Sequence, residues 1–204
     1  VINNEIHSVE LAYAGQEVAV TETSASFYNE RQKVEINLQK TMETDEKYGI
    51  GNNREILSVS FGLYAAEELT AADGTAIPAD GLIEVIPIDV NGQGKAATDL
   101  SLGSYYLQEI HTNAAYLLGD QRYPVTFAYG GQETALVSIT ANEGEPIENH
   151  LIYGSVSGTK RNEDGGALGG ALIGIFRTGT EEFTAETAIQ TTVSADNGSF
   201  SFGK

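Results

Sequence analysis

An acid, an amine and an amide stand in this chain at positions where strand periodicity calls for apolar side chains. In Leu102-Gly-Ser-Tyr-Tyr-Leu-Gln-Glu-Ile110, the period of two puts Tyr105, Leu107 and Glu109 on one face, so a carboxyl group shares the core side. In Val34-Glu-Ile-Asn-Leu-Gln-Lys40, the apolar Val34, Ile36 and Leu38 lead to Lys40 on the same face, while Lys33, Glu35, Asn37 and Gln39 form the wet one. In Ile147-Glu-Asn-His-Leu-Ile152, Ile147 and Leu151 bracket Asn149. An unpaired buried charge costs too much to be carried idly, so such groups must be neutralised, paired or used. One lysine at a strand end usually extends its ammonium to water. Three inward polar groups on three strands call for a shared explanation.

The elements that position these groups are strands. Val, Ile, Thr, Tyr and Phe recur in short alternating runs, separated by turn clusters such as Ala71-Ala-Asp-Gly74, Asp89-Val-Asn-Gly92 and Ala195-Asp-Asn-Gly198. No helical pattern stands out, and the expected class is all-β. At 204 residues with 41% hydrophobic content, the chain has enough apolar material for one or two cores.

Composition removes several functions. A net charge of −18, from 11 basic and 29 acidic residues, leaves no basic patch to displace counterions from a nucleic acid, so none is expected as partner. No apolar run reaches the ~18 to 20 residues needed to cross a bilayer as a helix, so no membrane insertion is expected. The first residues lack the basic and apolar regions of a signal peptide. Without cysteine there are neither disulfides nor thiolate metal sites, and an extracellular protein of this kind must resist unfolding by other means.

An internal repeat organises the chain. Tyr13-Ala-Gly-Gln16, preceded by Val9-Glu-Leu-Ala12, returns as Tyr129-Gly-Gly-Gln132, preceded by Val125-Thr-Phe-Ala128. Asn29 precedes Lys40 by 11 positions, as Asn149 precedes Lys160, and the two pairs are offset by 120. The spacing predicts that residues 1–31 close one unit, 32–152 form a complete one, and 153–204 open a third. No Pro-rich or Ser-rich spacer separates the last two, only a passage through Tyr153-Gly154, which predicts units stacked end to end.

Four blocks carry a resemblance. They are the strand ending in Lys40, the run Ser60-Phe-Gly-Leu-Tyr-Ala65, the Tyr-x-Leu-x-Glu box at Tyr105-Tyr-Leu-Gln-Glu109, and Glu148-Asn-His150. The third unit adds Asn162-Glu-Asp-Gly-Gly-Ala-Leu-Gly-Gly-Ala171 and Asn197-Gly-Ser-Phe200. Together they resemble tandem Cna-B or SpaA-type domains, the prealbumin-like, immunoglobulin-like β-sandwich repeats of Gram-positive surface adhesins and pilins. The resemblance implies a structural stalk module on the bacterial cell surface, in a parent protein anchored to the cell wall, with neighbouring repeats as partners.

It also implies an intramolecular isopeptide bond between Lys40 and Asn149, promoted by Glu109. Elementary chemistry agrees: burial lowers the pKa of a lysine and raises that of an acid, giving a neutral amine beside a protonated carboxyl. That acid would polarise the Asn149 carbonyl and pass a proton to the departing ammonia. Folding supplies the proximity, no cofactor is required, and the event is a single turnover rather than catalysis on an external substrate. In the incomplete units, Asn29 and Lys160 hold the corresponding positions. They are expected to belong to bonds completed by flanking sequence, or, in the other reading, to complement one another by strand addition without a glutamate box.

Other signals are weaker. Asp89-Val-Asn-Gly-Gln-Gly94 resembles a calcium loop, but its twelfth position is Leu100, and a hairpin turn fits better. Gly165-Gly-Ala-Leu-Gly-Gly170 lacks the Lys-Ser/Thr of a phosphate loop, and Asn197-Gly-Ser199 is a sequon of the kind that turns produce by chance. His7, His111 and His150 have no metal-site spacing, so no metal is expected, and no serine sits in a nucleophile elbow. Tyr106, Tyr116 and Tyr123 are candidates for an aromatic platform, which would make the chain an adhesive module for a host matrix protein or glycan.

Overall fold

The strict alternation of Lys33–Met42 makes a ten-residue strand, β1, whose Val34, Ile36, Leu38 and Lys40 are all buried. The computed structural model describes residues 5–18, 23–71, 73–96 and 98–203. After β1 come β2 (Ser60–Ala65), β3 (Leu69–Thr70), β4 (Ala76–Ile77), β5 (Leu82–Pro87), β6 (Gln93–Ala96) and β7 (Gly103–His111). They are followed by β8 (Arg122–Phe127), β9 (Leu136–Thr140) and β10 (Ile147–Asn149). Beyond these lie β11 (Val156–Thr159), β12 (Leu172–Ile175), β13 (Gln190–Val193) and β14 (Ser199–Phe202). Two short 3-10 turns, Glu55–Ser58 and Ala141–Gly144, are the helical content among the described residues.

β1 organises one sheet. One of its edges pairs antiparallel with β6, and the other pairs in parallel first with β9 and then with β10. The break between β9 and β10 falls at Asn142 and Glu143, both left-handed at φ 54 and 56. It lets one segment of chain follow β1 in two steps and brings Ile147 into register with Lys40. The second sheet runs β5-β2-β7-β8 with every pair antiparallel. Between the sheets lie Val34, Ile36, Leu38 and Ile147 from the first and Phe61, Leu63, Ile86, Leu107, Val125 and Phe127 from the second. Burying a set of this size is the main stabilising term, at about 1.5 to 3 kcal/mol per large apolar side chain. The result is an all-β sandwich.

The hairpin between β5 and β6 braces β1 at the lysine. At its tip Gly92 has φ +77, and a Cβ there would run into the Lys40 carbonyl oxygen. The Lys40 N–H in turn donates to the Gly92 carbonyl at 2.6 Å, so the tip is seated on the backbone of β1.

The C-terminal strands form two antiparallel pairs, β11-β14 and β12-β13. Their local geometry parallels the sandwich: the Lys160 N–H donates to the Gly198 carbonyl at 2.7 Å, and Gly198 has φ +77 with its Cβ direction blocked by the Lys160 carbonyl. Gly174 lies under the Phe176 ring as Gly62 lies under that of Tyr64. Among the described residues before Lys33 there is no strand, but the turn at Gly15 (φ +116, Val18 N–H to Gly15 carbonyl, 3.3 Å) matches the one at Gly131 (φ +98, Thr134 N–H to Gly131 carbonyl, 3.4 Å).

Candidate functional site

Lys40, Asn149 and Glu109 meet inside the sandwich. β1 delivers Lys40, which is 1% exposed, and the neighbouring β10 delivers Asn149 at 3%. In the parallel ladder Lys40 pairs with Ile147 and Met42 with Asn149, so the two side chains lie on one face, two residues apart along adjacent strands. A lysine side chain is long enough to span that diagonal. Glu109, 4% exposed, comes across the interior from β7 in the other sheet.

The Asn149 Nδ2 donates to Glu109 Oε1 at 2.7 Å and to the Thr112 hydroxyl oxygen at 2.8 Å. The second Glu109 oxygen accepts the Gly119 N–H at 2.7 Å. A side chain at Gly119 would place its Cβ 3.2 Å from that oxygen, so the close approach of backbone to carboxyl favours glycine. Glu109 is therefore held from two sides, with one oxygen on the amide nitrogen of Asn149.

Lys40 Nζ donates to the carbonyls of Thr41 and Ile147, each at 2.8 Å. Two acceptors match the two N–H bonds of a neutral amine and leave its lone pair free, whereas an ammonium would carry a third proton to be placed. Burial pushes the lysine in the same direction: its pKa falls from 10.5 to about 8, with the charges of Glu109 and Glu148 opposing the drop. At that pKa the amine is mostly protonated at pH 7, with about a tenth neutral, and half is neutral at pH 8. The arrangement places a buried amine and a buried side-chain amide on one face of adjacent strands, with a carboxyl at the amide nitrogen. Tyr123 stands nearby, its pKa raised by burial and then by the Glu109 charge.

Sequence reasoning missed Thr112 and Gly119. Thr112 lies three residues beyond Glu109, just past the end of β7, where strand periodicity no longer assigns a face. Gly119 acts through its backbone, which carries no side-chain signal.

The remaining sequence candidates are dispersed. Lys160 and Asn29 are exposed. β11 pairs with β14 alone, and among the described residues no second-sheet acid faces Lys160 as Glu109 faces Asn149. Tyr106, Tyr116 and Tyr123 share no platform. Tyr106 is buried on the outer face of β7, stacked on Tyr64 at 5.1 Å, with the Arg122 guanidinium 4.3 Å from its ring centroid. Tyr116 is buried and donates its hydroxyl to the Glu43 carbonyl. Tyr123 pairs with Leu107, on the opposite face from Tyr106.

The Asp89 carboxyl caps its own turn, accepting the N–H groups of Asn91 and Gln93 at 2.8 Å. Asn162 and Asn197 do the same for Gly166 and Ser199, so the glycine-rich run and the sequon are turn chemistry. The histidines lie apart: His111 Nδ1 is 2.5 Å from the Ser58 carbonyl, and His150 is 3.6 Å from Glu43. No group of three or more His, Asp or Glu side chains among the described residues is arranged to hold a metal ion.

Among solved structures, the Bacillus anthracis TIE protein matches this chain with a TM-score of 0.53 at 14% identity, over 85% of this chain and 26% of that one. The likeness is one of fold, an all-β sandwich shared with part of that protein. A streptococcal ancillary pilin (TM-score 0.37, 19% identity, 86% of this chain and 51% of that one) is also similar, with a score that carries no argument by itself. The same holds for BcpA, the major pilin subunit of Bacillus cereus (TM-score 0.36, 16% identity, 62% and 31%). This chain spans about a quarter of the TIE protein and half of the ancillary pilin. No protein-family model matches the chain, and no curated protein does.

Proposed function

We propose that the chain is a structural module of a Gram-positive surface adhesin or pilus-like stalk, outside the cell, that covalently closes its own sandwich through Lys40 and Asn149. The observation that carries this reading is the buried trio itself, an amine held by two backbone carbonyls on the same face of adjacent strands as an amide whose nitrogen rests on a carboxyl. The neutral Lys40 Nζ attacks Asn149 Cγ, the Nζ–Cγ bond forms, the Cγ–Nδ2 bond breaks, and ammonia leaves. Glu109 takes the proton that Nζ sheds and returns it to Nδ2, so no proton is gained or lost overall. Glu109 accepts from the Asn149 nitrogen and is not placed on the carbonyl oxygen that the sequence reading has it polarise, and this contact supports a role in proton delivery to the leaving group. Prepositioning recovers on the order of 7 to 11 kcal/mol of such a barrier.

The mechanical consequence comes from the topology. β1 and β10 are parallel neighbours, so tension applied at Gln32 and His150 shears one along the other. With the bond in place, the load passes from β1 through the Lys40 side chain into Asn149, and residues 41–148 lie outside its path. The loop so closed, of about 100 residues, adds roughly 4 to 5 kcal/mol by chain entropy on the model used for disulfides. The parallels at Gly15 and Gly131, and at Lys160 and Lys40, support a chain of stacked repeats with units at 1–31, 32–152 and 153–204. Asn29 and Lys160 would then react within neighbouring units that supply the missing strands. Anchoring of the parent protein to the cell wall belongs to the same reading.

Denaturing intact-mass measurement tests the proposal. The wild-type chain is expected one ammonia lighter than its sequence mass and the Glu109→Ala chain at full mass; full crosslinking of Glu109→Ala would sink the assignment.

A further inference from the structure

We propose that Thr112 is a positioning residue for the crosslinking reaction, fixing the plane of the Asn149 amide and holding the nitrogen that departs. This rests on the Lys40–Asn149 reading above. An asparagine amide turns easily about its last torsion, whose profile is broad. Glu109 Oε1 takes one of its N–H bonds, and with that contact alone the amide plane could still swing about the shared hydrogen bond. The Thr112 hydroxyl takes the other N–H, and two acceptors in different directions determine the plane. The plane matters because an amine must approach Cγ from above it, and intramolecular rate advantages depend steeply on that alignment.

Thr112 is itself held in place. The turn after it is closed by Asn113, whose side-chain oxygen accepts the Ala115 N–H at 3.0 Å and whose carbonyl accepts the Tyr116 N–H at 2.9 Å. This turn is stitched to the chain around Asn149: the Leu117 N–H donates to the His150 carbonyl, and the Ile152 N–H donates to the Ala115 carbonyl. The hydroxyl and the amide are therefore carried on segments tied directly to one another.

The role is confined to the unreacted protein. Before reaction the amide nitrogen has two protons, one for each acceptor. Afterwards the nitrogen on Cγ is that of Lys40 with a single proton, which cannot serve both Glu109 and Thr112. A positioning hydroxyl should thus govern how fast the bond forms and leave the finished protein nearly unaffected.

The test is a pulse of cell-free synthesis of the full chain, a chase, a quench in denaturant, and intact mass at each time. Thr112→Val keeps the shape and removes the acceptor, and ammonia loss is expected to slow about tenfold, the scale of one hydrogen bond. Thr112→Ser restores the acceptor and should return the rate to within about twofold of wild type. The crosslinked forms of all three should melt together. If wild type loses ammonia and Thr112→Val keeps pace, this inference fails while the crosslink stands; if wild type loses none, both fail. A Thr112→Val chain that does not fold, or whose crosslinked form melts well below wild type, would assign Thr112 a structural role and overturn the proposal.

Discussion

Two uncrosslinked variants, Glu109→Gln and Glu109→Gln/Lys40→Met, should differ in stability by about 3 kcal/mol at pH 7, with the methionine chain the more stable. Lys40 is 1% exposed, and its pKa falls from 10.5 to about 8 on folding, which at about 1.4 kcal/mol per decade gives that figure for housing the charged amine. Glu109 opposes the drop, so removing its charge makes the penalty no smaller. The pH dependence has a definite sign. Between pH 8 and 10.5 the folded lysine has released its proton while the unfolded one still holds it, so the lysine variant gains stability as pH rises through that window. Below pH 8 both states are charged and the full penalty stands. Methionine, of similar length and without charge, has no such dependence. Urea denaturation of both chains at pH 7 and pH 10 measures the gap, and every other titrating group cancels in the difference. Equal midpoints at pH 7, or a gap that stays constant to pH 10, would refute the view that Lys40 is held in a site built for its neutral form. The proposed reaction would remove the penalty, because an amide nitrogen is not protonated at these pH values, so crosslinking would relieve this cost in addition to closing the loop.

Two further predictions concern the frame around the site. Gly92→Ala combines a left-handed φ with a Cβ directed at the Lys40 carbonyl, and should lower stability by more than about 1 kcal/mol in urea titration; an unchanged midpoint would mean the hairpin tip is not seated on β1. Glu43 accepts the Leu151 N–H at 3.0 Å and the Tyr153 hydroxyl at 2.6 Å, clamping the chain as it leaves β10. Glu43→Ala should speed hydrogen exchange at Leu151 while the amides of β7 keep their protection, and unchanged exchange at Leu151 would dismiss the clamp.

Whatever depends on periodicity was legible in the residues alone. The alternation in β1 and β7 placed Lys40 and Glu109 inward, and both are buried, as is Asn149 between Ile147 and Leu151. Period two is a property of the extended backbone, so it survives any choice of partner strand. The all-β class came from the same signal. The turn clusters at Asp89 and Asn197 were legible too, since an Asx side chain closes its own loop using local geometry alone.

The rest depended on which parts of the chain pack together. Lys160 stands at the surface although its run alternates like that of Lys40, because burial needs a packed layer closed over the strand, and no residue of β11 is fully buried. The three tyrosines went to three environments because adjacent positions on a sheet face opposite ways and Tyr116 lies outside it. Thr112 and Gly119 belong to the connection after β7, where no period exists, and they reach Glu109 and Asn149 only because that connection folds back over the end of β10. Periodicity can say which way a side chain points; what it meets there is set by which strands the chain brings alongside.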